Sequence, residues 1–253
     1  MRLNLINNFL LSLIIILLCY SRSFSQNYDE VRFFKDGSNY YSSIFKINPS
    51  NAKNYVFSAG AITGSLLLDS QIKNFVNQNR NGVYDIVFGF EKRMPEALFT
   101  SSLLLYLHGS VYDNNKNRDL GFRLAESMFF SGTITTLIKM ISGRTRAYAT
   151  NDPYEFSFFE IDWERTSFPS GHATIGFAFS TVMANETESV TGKVLWYTLA
   201  GVIAFSRVYN EDHWFSDIVF GSLIGYFTGQ FFSKPGEKSD ETIIPPISFT
   251  IPF

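Results

Sequence analysis

The sequence predicts an all-α protein, a bundle of about six helices in one domain. Six segments have the character of helices, whereas strand signals are confined to residues 83–90 and 247–251. The 253 residues are 45% hydrophobic, which is enough for a sizeable core, and no repeat or internal linker divides them. The predicted helices run over residues 54–76, 95–112, 119–141, 172–184, 191–207 and 215–232.

The ends of these segments set the predicted boundaries. Asp119 can cap the third helix, and Pro95 suits the first turn of the second. We assign residues 54–232 to the helical domain. Residues 26–53 are polar and aromatic and contain glycine, proline, asparagine and serine, so we expect a loosely ordered lead-in with a short helix at best. Residues 233–253 form a C-terminal tail, either extended on the bundle or unstructured.

The N-terminus has the pattern of an export signal. Arg2 precedes an apolar run over residues 9–20, and Ser23 and Ser25 place small residues where a signal peptidase reads them. We therefore expect residues 1–25 to be a signal peptide, cleaved after Ser25, and the protein to be exported to the periplasm. An uncleaved membrane anchor is the alternative.

The helical segments are short for membrane spans. Their uncharged cores fall below the roughly 18–20 residues that a span requires. An export signal followed by three full spans would also turn the loop after Ile141 to the cytoplasm, at odds with an exported site. We therefore favour a folded exported domain that can contact a membrane surface, and leave spanning helices as the alternative.

Charge and cysteine content exclude several classes of function. The formal net charge is −2. The only charged residues that the cut after Ser25 would remove are Arg2 and Arg22, so the mature chain has no basic excess for nucleic-acid binding. The cut would also remove Cys19, the sole cysteine. The mature chain then has no disulfide, thiolate nucleophile or cysteine-based metal site. Its oligomeric state is not predicted.

A histidine and an aspartate four residues apart are the first candidate for chemistry. If His213 and Asp217 lie on one helix, they share a face. The aspartate would hold one ring nitrogen as N–H and leave the other as a nucleophilic lone pair. The alternative is structural, with His213 capping or packing and Asp217 an ordinary acid in a first helical turn.

The segment from Pro169 to His172, Pro-Ser-Gly-His, is the second candidate. Gly171 allows close approach of the backbone, and a following helix start would present free N–H groups to an anion. Ser170 adds a hydroxyl donor, and His172 could exchange a proton with a leaving oxygen or with water. The alternative is a turn with a capping histidine.

Cations of the kind that bind phosphate flank these segments. Lys139 and Arg146 stand seven residues apart, and Arg207 precedes His213 by six residues. Arginine offers a planar fork to phosphate oxygens and lysine a point charge. Arg144 is a weaker candidate. The alternatives are a lysine placed favourably at a helix C-terminus and arginines on the surface.

Together the motifs resemble those of the type 2 phosphatidic acid phosphatase and vanadium haloperoxidase superfamily. The resemblance covers residues 119–232. One position departs from the family pattern, because Ala147 stands where proline is usual, which puts the rigidity of that turn in doubt. The matching motifs are Lys139-x6-Arg146, Pro169-Ser170-Gly171-His172 and Ser206-Arg207-x5-His213-x3-Asp217.

This resemblance implies roles for the motif residues. His213 would attack phosphorus and form a phosphohistidine, Asp217 would orient it, and His172 would act as general acid and then general base. No metal or other cofactor is implied; vanadate would bind only if the haloperoxidase alternative held. The residues implied to bind phosphoryl oxygens are Lys139, Arg146, Ser170, Gly171 and Arg207.

The resemblance leaves the substrate open. A phosphatase acting on a lipid phosphate or diphosphate is expected, such as undecaprenyl pyrophosphate, lipid A or a phosphatidyl phosphate. A periplasmic acid phosphatase acting on small phosphate esters is the alternative. A vanadium haloperoxidase or a non-catalytic binding protein is less favoured, because no separate halide signature is present and both histidines and the aspartate are intact.

Two further features belong to no motif. Residues 154–164 alternate aromatic and acidic side chains, and could either contact a lipid substrate or pack locally with the acids facing water. Deleting residues 156–159 should then harm turnover of a lipid more than of a soluble ester. His108 is expected to be a packed or interfacial histidine.

Overall fold

The computed structural model describes residues 27–44, 46, 52–160 and 162–234. The expected signal peptide, nearly all of the C-terminal tail and the strand signal at residues 247–251 lie outside the described residues. The chain divides into two compact units, Met1–Ser42 and Ser43–Phe253, and each is described by itself.

The first unit contains most of helix α1, Asn27–Ile44. The expectation of a loosely ordered lead-in with at most a short helix is wrong here, because α1 has 18 residues. Asp29 and Glu30 lie in its first turn, where negative charge favours a helix. Arg32 and Asp36 form an i,i+4 ion pair at 3.4 Å, which stabilises the helix. The glycine and serine content of the segment gives no indication of this pair.

The named elements in the described part of the second unit are all helices, with no named strand, which confirms the all-α class. All six predicted helices are present, with ends displaced by only a few residues. Short 3₁₀ turns occur at Phe90–Arg93 and Trp163–Arg165. The helices are α2 (Ala52–Gln78), α3 (Gly82–Gly89), α4 (Met94–Val111), α5 (Asn115–Ser142), α6 (Gly171–Glu186), α7 (Val190–Tyr209) and α8 (Phe215–Phe232).

Helix α3 replaces the strand expected at residues 83–90. The side chain of Asn81 accepts hydrogen bonds from the backbone of Val83 and Tyr84, and so caps the helix. The rings of Tyr84 and Phe88, four residues apart, both pack on Tyr209 of α7. The cap and this helical spacing prevail over the strand preference of valine and aromatic residues.

The starts of α4 and α5 test the two predicted boundaries. Pro95 lies in the first turn of α4, as predicted. Asp119 does not cap α5, because the helix begins one turn earlier and the side chain of Asn114 accepts from the backbone of Asn117. Asp119 instead pairs with Arg123 at 2.7 Å within the helix.

Helix α6 is the centre of the bundle. It packs against α4, α5, α7 and α8, and ten of its residues are buried. One side contributes Ile175, Phe179 and Val182 to a core shared with α4, α5 and α7. Another side contributes Ala173 to a core shared with α2, α7 and α8. The second and third motifs therefore start from helices that share one core.

Close packing of α6 and α8 depends on small residues. A Cβ added to Gly221 would lie 2.5 Å from the carbonyl oxygen of Ser170, and one added to Gly225 would lie 2.2 Å from that of Thr174. Both distances are too short for any other residue, so α8 approaches α6 backbone to backbone. This approach lets the backbone N–H of Ser170 donate to the carbonyl of Asp217 at 3.0 Å. Two motifs distant in sequence are thereby joined.

None of the helices in the described part of the chain combines the length and apolar character needed to cross a membrane.

Candidate active site

The three motifs meet at one end of the bundle. Lys139 lies in the last turn of α5, Arg207 in the last turn of α7, and His172 in the first turn of α6. Arg146 lies in the loop that follows α5, and His213 lies just before α8. The charges of Lys139 and Arg146 act on both imidazoles. The residues expected to act on phosphate therefore surround one place.

His213 and Asp217 meet in a different way from that predicted. His213 precedes α8, which starts at Phe215, so the pair does not share a helix face. Asp217 lies in the first turn and accepts from the backbone N–H of Trp214 at 2.9 Å. This turn brings Nδ1 of His213 to 3.4 Å from Oδ2 of Asp217. The contact predicted from spacing exists, and the helix N-terminus creates it.

Asp217 is fully buried and all of its contacts favour the carboxylate. Besides His213 and Trp214, it accepts from the hydroxyl of Ser167 at 2.5 Å and from Nη1 of Arg144 at 2.5 Å. Burial opposes its ionisation, but the charge of Arg144 and these hydrogen bonds hold the pKa of Asp217 well below its usual range. It is therefore ionised at every pH of interest.

Arg144 does not have the phosphate-binding role considered for it. Its guanidinium is 0% exposed and donates to Asp217, to Ser216 and to the carbonyl of Pro153. It also pairs with Asp69 of α2 at 2.6 Å. These partners occupy all the nitrogens of the guanidinium, so Arg144 has no free donor for phosphate. It instead binds the carboxylate of Asp217, which contacts His213.

Asp69 is a site residue that the motifs do not include. It is 1% exposed, and it accepts from Arg144 and from both the backbone N–H and the hydroxyl of Ser216, each at 2.7 Å in the case of Ser216. Burial raises its pKa, and Arg144 and Ser216 oppose that change. Asp69 thus connects α2 to the first turn of α8.

The imidazole of His213 is held neutral. It is 3% exposed, and burial lowers its pKa well below the usual value. The hydrogen bond to Asp217 opposes this shift, whereas the charges of Lys139 and Arg146 add to it. Because Nδ1 faces the carboxylate, Nε2 is the nitrogen left with a lone pair.

Arg146 and Arg207 are brought together by Asp212. Nη2 of Arg207 donates to the carboxylate of Asp212 at 2.9 Å, and Nη1 of Arg146 donates to its carbonyl at 3.1 Å. Arg146 also lies over the ring of Trp163, with 4.4 Å between guanidinium carbon and ring centre. Nε of Arg207 is buried and has no hydrogen-bond partner within the described residues. The pair forms a fixed cationic wall.

Lys139 completes the cationic wall. Its ammonium group donates to the carbonyls of Thr166 and Ser167, at 2.5 and 3.2 Å. Burial, together with the charges of Arg146 and Arg207, lowers the pKa of Lys139 to about 7, and the charge of Asp217 acts in the opposite direction. An anion placed against it would favour the charged form.

His172 faces the same cations from the start of α6. Burial and the charges of Arg207, Lys139 and Arg146 lower its pKa to about 3. Its Nε2 lies 3.7 Å from a carboxylate oxygen of Glu91, a residue that no motif indicated. In the absence of an anion the imidazole is therefore neutral at neutral pH.

Ser170 and Gly171 form the backbone part of the site. Ser170 is the N-cap of α6 and is 0% exposed. A Cβ added to Gly171 would meet no heavy atom of the described residues within 4 Å. Protein packing therefore does not require glycine here, whereas open space beside a helix N-terminus suits an anion.

Lys73 supports the turn in which Ala147 replaces the usual proline. Its ammonium group donates to the carbonyls of Ala147 and Thr150 and to the side chain of Asn151, at 2.6, 2.8 and 2.9 Å. Lys73 lies four residues after Asp69 on α2. One face of this helix therefore contacts both the loop after α5 and the first turn of α8. These bonds restrain a turn that lacks the proline ring.

Sequence reasoning missed Asp69, Lys73, Glu91, Ser167 and Asp212. Asp69 and Lys73 had a usable signal, because they place two charges at helical spacing directly after an apolar segment. Glu91 had none, because charged residues after an apolar run are usually exposed to solvent.

The remaining histidine lies apart from the site. His108 is exposed near the end of α4, and its ring contacts Asn117 at 3.1 Å. Asn117 and Lys139 are 22 residues apart on α5, which at 1.5 Å per residue is about 33 Å. His108 is thus neither buried in the core nor part of the site.

The loop between the first two motifs divides into packed and exposed aromatic residues. Phe156 lies over Arg144 at 5.3 Å and over Phe158 at 6.3 Å. Phe158 and Phe159 are 67% and 76% exposed. Phe158 borders a groove of about 410 Å³ with almost entirely apolar walls. The groove is lined by Ile138, Ile141, Ser142, Phe156, Phe158 and Phe168.

The groove adjoins residues that are expected to bind phosphate. Ile138 precedes Lys139, and Phe168 follows Ser167, the residue that bonds Asp217. The hydroxyl of Ser142 donates to the carbonyl of Phe168 at 2.8 Å and closes one wall. An apolar surface therefore begins beside the cationic wall.

Comparison with curated proteins finds two similar bacterial phosphatases. A lipid A 1-phosphatase of Porphyromonas gingivalis is 36% identical over 66 residues, which are 25% of this chain and 15% of that protein. YbjG of Escherichia coli K12, provisionally named an undecaprenyl-diphosphatase, is 32% identical over 124 residues, 49% of this chain and 59% of that protein. The matches thus span less than two thirds of both relatives.

Among solved structures, LpxE of Aquifex aeolicus aligns with 65% of this chain and 94% of its own, at a TM-score of 0.49 and 19% identity. The family model of the PAP2 superfamily matches residues 120–238, a range that contains all the predicted phosphate-site residues. This match and the motifs within it place residues 120–238 in the PAP2 superfamily.

Proposed function

We propose that this protein is a phosphoric ester hydrolase that removes phosphate from a lipid-linked monophosphate or diphosphate through a phosphohistidine. The observation that carries the proposal is a neutral, oriented imidazole, His213, beside three cations. Named phosphatases acting on lipid A and on undecaprenyl diphosphate are similar to part of the chain.

Positioning and charge stabilisation account for the first half of the reaction. Lys139, Arg146 and Arg207 would bind the phosphoryl oxygens, with the backbone at Gly171 completing the cradle. Nε2 of His213 attacks phosphorus while the bond to the leaving oxygen breaks. The leaving oxygen takes a proton from His172 and departs as an alcohol or a phosphate.

The second half returns the groups to their starting state. His172, now neutral, takes a proton from a water molecule whose oxygen attacks the phosphohistidine. The bond between phosphorus and Nε2 of His213 breaks, and inorganic phosphate leaves. Asp217 stabilises the imidazolium that forms when Nε2 is bonded to phosphorus. We propose that none of these steps uses a metal ion.

The apolar groove favours a lipid over a small soluble ester. Its walls begin at residues adjoining Lys139 and Ser167, so a hydrocarbon chain could lie there while its phosphate meets the cations. The exposed ring of Phe158 would then be covered by the substrate. We propose export to the periplasm on the pattern of residues 1–25 alone.

The test is turnover by the purified full-length chain and by its His213→Ala variant. We expect release of phosphate from lipid phosphates, a labelled phosphohistidine in the wild type, and a loss on the order of 10⁴-fold or more in the variant. His108→Ala is the matched control, because His108 is exposed and far from the site, and it should retain full activity.

Two results would overturn the proposal. Full activity of His213→Ala would remove the phosphohistidine. Oxidation of bromide by peroxide in the presence of vanadate, without phosphatase activity, would assign the chain to haloperoxidase chemistry instead.

The groove is tested by Phe158→Ser. Deleting residues 156–159 would also remove Phe156 from Arg144, so the single substitution tests lipid contact more cleanly. We expect kcat/KM to fall about tenfold for a long-chain lipid phosphate, from lost apolar burial, and to change little for p-nitrophenyl phosphate. Tyr112→Ser, an exposed aromatic beside His108, is the control. Equal losses on both substrates would exclude lipid contact.

A further inference from the structure

Glu91 is a buried carboxylate beside the acid–base histidine. It lies in the 3₁₀ turn Phe90–Arg93 and is 0% exposed. A carboxylate at such a position requires charged or hydrogen-bonded partners, because burial otherwise disfavours its ionised form. Its partners identify what it does in the site.

Its two oxygens contact two elements of the site. Oε2 accepts a hydrogen bond from Nη1 of Arg207, and Oε1 accepts from the side chain of Asn210 at 3.0 Å. Oε2 also lies 3.7 Å from Nε2 of His172. That distance is slightly too long for a hydrogen bond, and Nε2 of His172 has no partner among the described residues although it is buried. A small movement of the ring would close the gap.

The other charged groups that act on His172 are positive. Arg207 acts from α7, Lys139 from α5 and Arg146 from the loop after α5, and with burial they lower the pKa of His172 to about 3. The backbone carbonyl of Glu91 acts in the opposite direction. The proposed function, however, needs protonated His172 when the leaving oxygen departs. Bound phosphate would offset the cations, and a nearby anion on the protein would help further.

We propose that Glu91 is a positioning residue that stabilises the imidazolium form of His172 and fixes Arg207 against the phosphoryl group. This inference rests on the proposed function. When phosphate binds, Nε2 of His172 carries a proton and faces Glu91. The proton given to the leaving oxygen is recovered from the attacking water, so Glu91 takes no part in the proton transfer.

The test is the pH profile of kcat for Glu91→Gln. Glutamine keeps the size and one acceptor oxygen, for either Arg207 or Asn210, and removes the charge. His172 in the enzyme–substrate complex should then lose its proton at lower pH. We expect the alkaline limb of kcat to move down by about one pH unit or more, with a smaller change in KM.

Two variants separate this role from a structural one. Glu91→Asp keeps the charge at a longer distance and should restore most of the alkaline limb even if kcat falls. Asp212→Asn removes a different carboxylate from Arg207, one that makes no ion pair with His172 among the described residues. It should raise KM and move the alkaline limb less than Glu91→Gln does. A lower kcat for Glu91→Gln with an unmoved limb would overturn the proposal.

A second measurement does not depend on turnover. The full chain has three histidines, so ring resonances of His172 can be assigned by substitution and titrated with saturating inorganic phosphate. We expect the midpoint of His172 to be lower in Glu91→Gln than in the wild type by a similar shift. Equal midpoints would overturn this inference even in an active enzyme, whereas absence of phosphatase activity would overturn the proposed function alone.

Discussion

The two histidines of the site stand in opposite surroundings. Around His213 the polar groups are satisfied: Asp217 accepts four hydrogen bonds, and Arg144 and Asp69 complete a buried network. Around His172 they are not, because its Nε2 and Nε of Arg207 both lack a partner among the described residues. One half of the site is complete before substrate arrives, and the other is incomplete.

The difference fits the roles proposed for the two histidines. A nucleophile needs one tautomer and one orientation from the start, which a closed network of hydrogen bonds provides. A group that is acid and then base must change its protonation within each turnover, and full satisfaction of one state would oppose the other. Of the unpartnered atoms, Nε of Arg207 could donate to a phosphate, whereas Nε2 of His172 faces Glu91.

Asp69→Asn should have the larger effect, because it breaks the closed half. Arg144 would lose one of its two carboxylates and draw closer to the other, which weakens the hold of Asp217 on His213. We expect kcat to fall about 10- to 100-fold and the free energy of unfolding to fall by about 3 kcal/mol. The measurements are steady-state kinetics and denaturant unfolding.

Asp119→Asn is the matched control for this change. It removes a partly exposed carboxylate from Arg123, about 30 Å from Lys139 along α5. We expect Asp119→Asn to lower the free energy of unfolding by about 0–1 kcal/mol and to leave activity unchanged. If Asp69→Asn lowered stability but left kcat intact, the closed network would be structural and would not orient the nucleophile.

Lys139→Arg should have a smaller effect, confined to pH dependence. The pKa of Lys139 is lowered to about 7 in the free protein, and a bound anion raises it. Anion binding therefore takes up a proton above pH 7, and affinity should fall by up to tenfold per pH unit as pH rises. Arginine stays charged, so the variant should bind anions equally from pH 7 to 9.

Sulfate is a suitable probe because it does not titrate in this range, and its competition with substrate gives the affinity. Lys193→Arg, an exposed position on α7, is the control and should behave as the wild type. A flat sulfate affinity in the wild type would show that Lys139 is charged throughout, and the open half would then not respond to pH in this way.

Much of the site was predictable because its residues lie at fixed spacings. The six long helices and the family motifs were found from local pattern, and the motif side chains do surround one place. The errors were also local. Cap and packing contacts turned residues 83–90 into a helix, and glycine and serine content concealed α1. His213 was placed on a helix because spacing alone does not show where α8 begins.

The sequence by itself determined the helical class, the two histidines with Asp217, and the cations expected to bind phosphate. These features depend on residue type and on short spacings along the chain, so they can be recognised in the sequence itself. Only the tertiary structure decided the partners of those residues. Two elements outside the matched family range, α2 and a 3₁₀ turn, contribute Asp69, Lys73 and Glu91. The tertiary structure also pairs Arg144 with Asp217 rather than leaving it free for phosphate. Burial and the pairing of charges are properties of packing between distant segments, and no spacing along the chain encodes them.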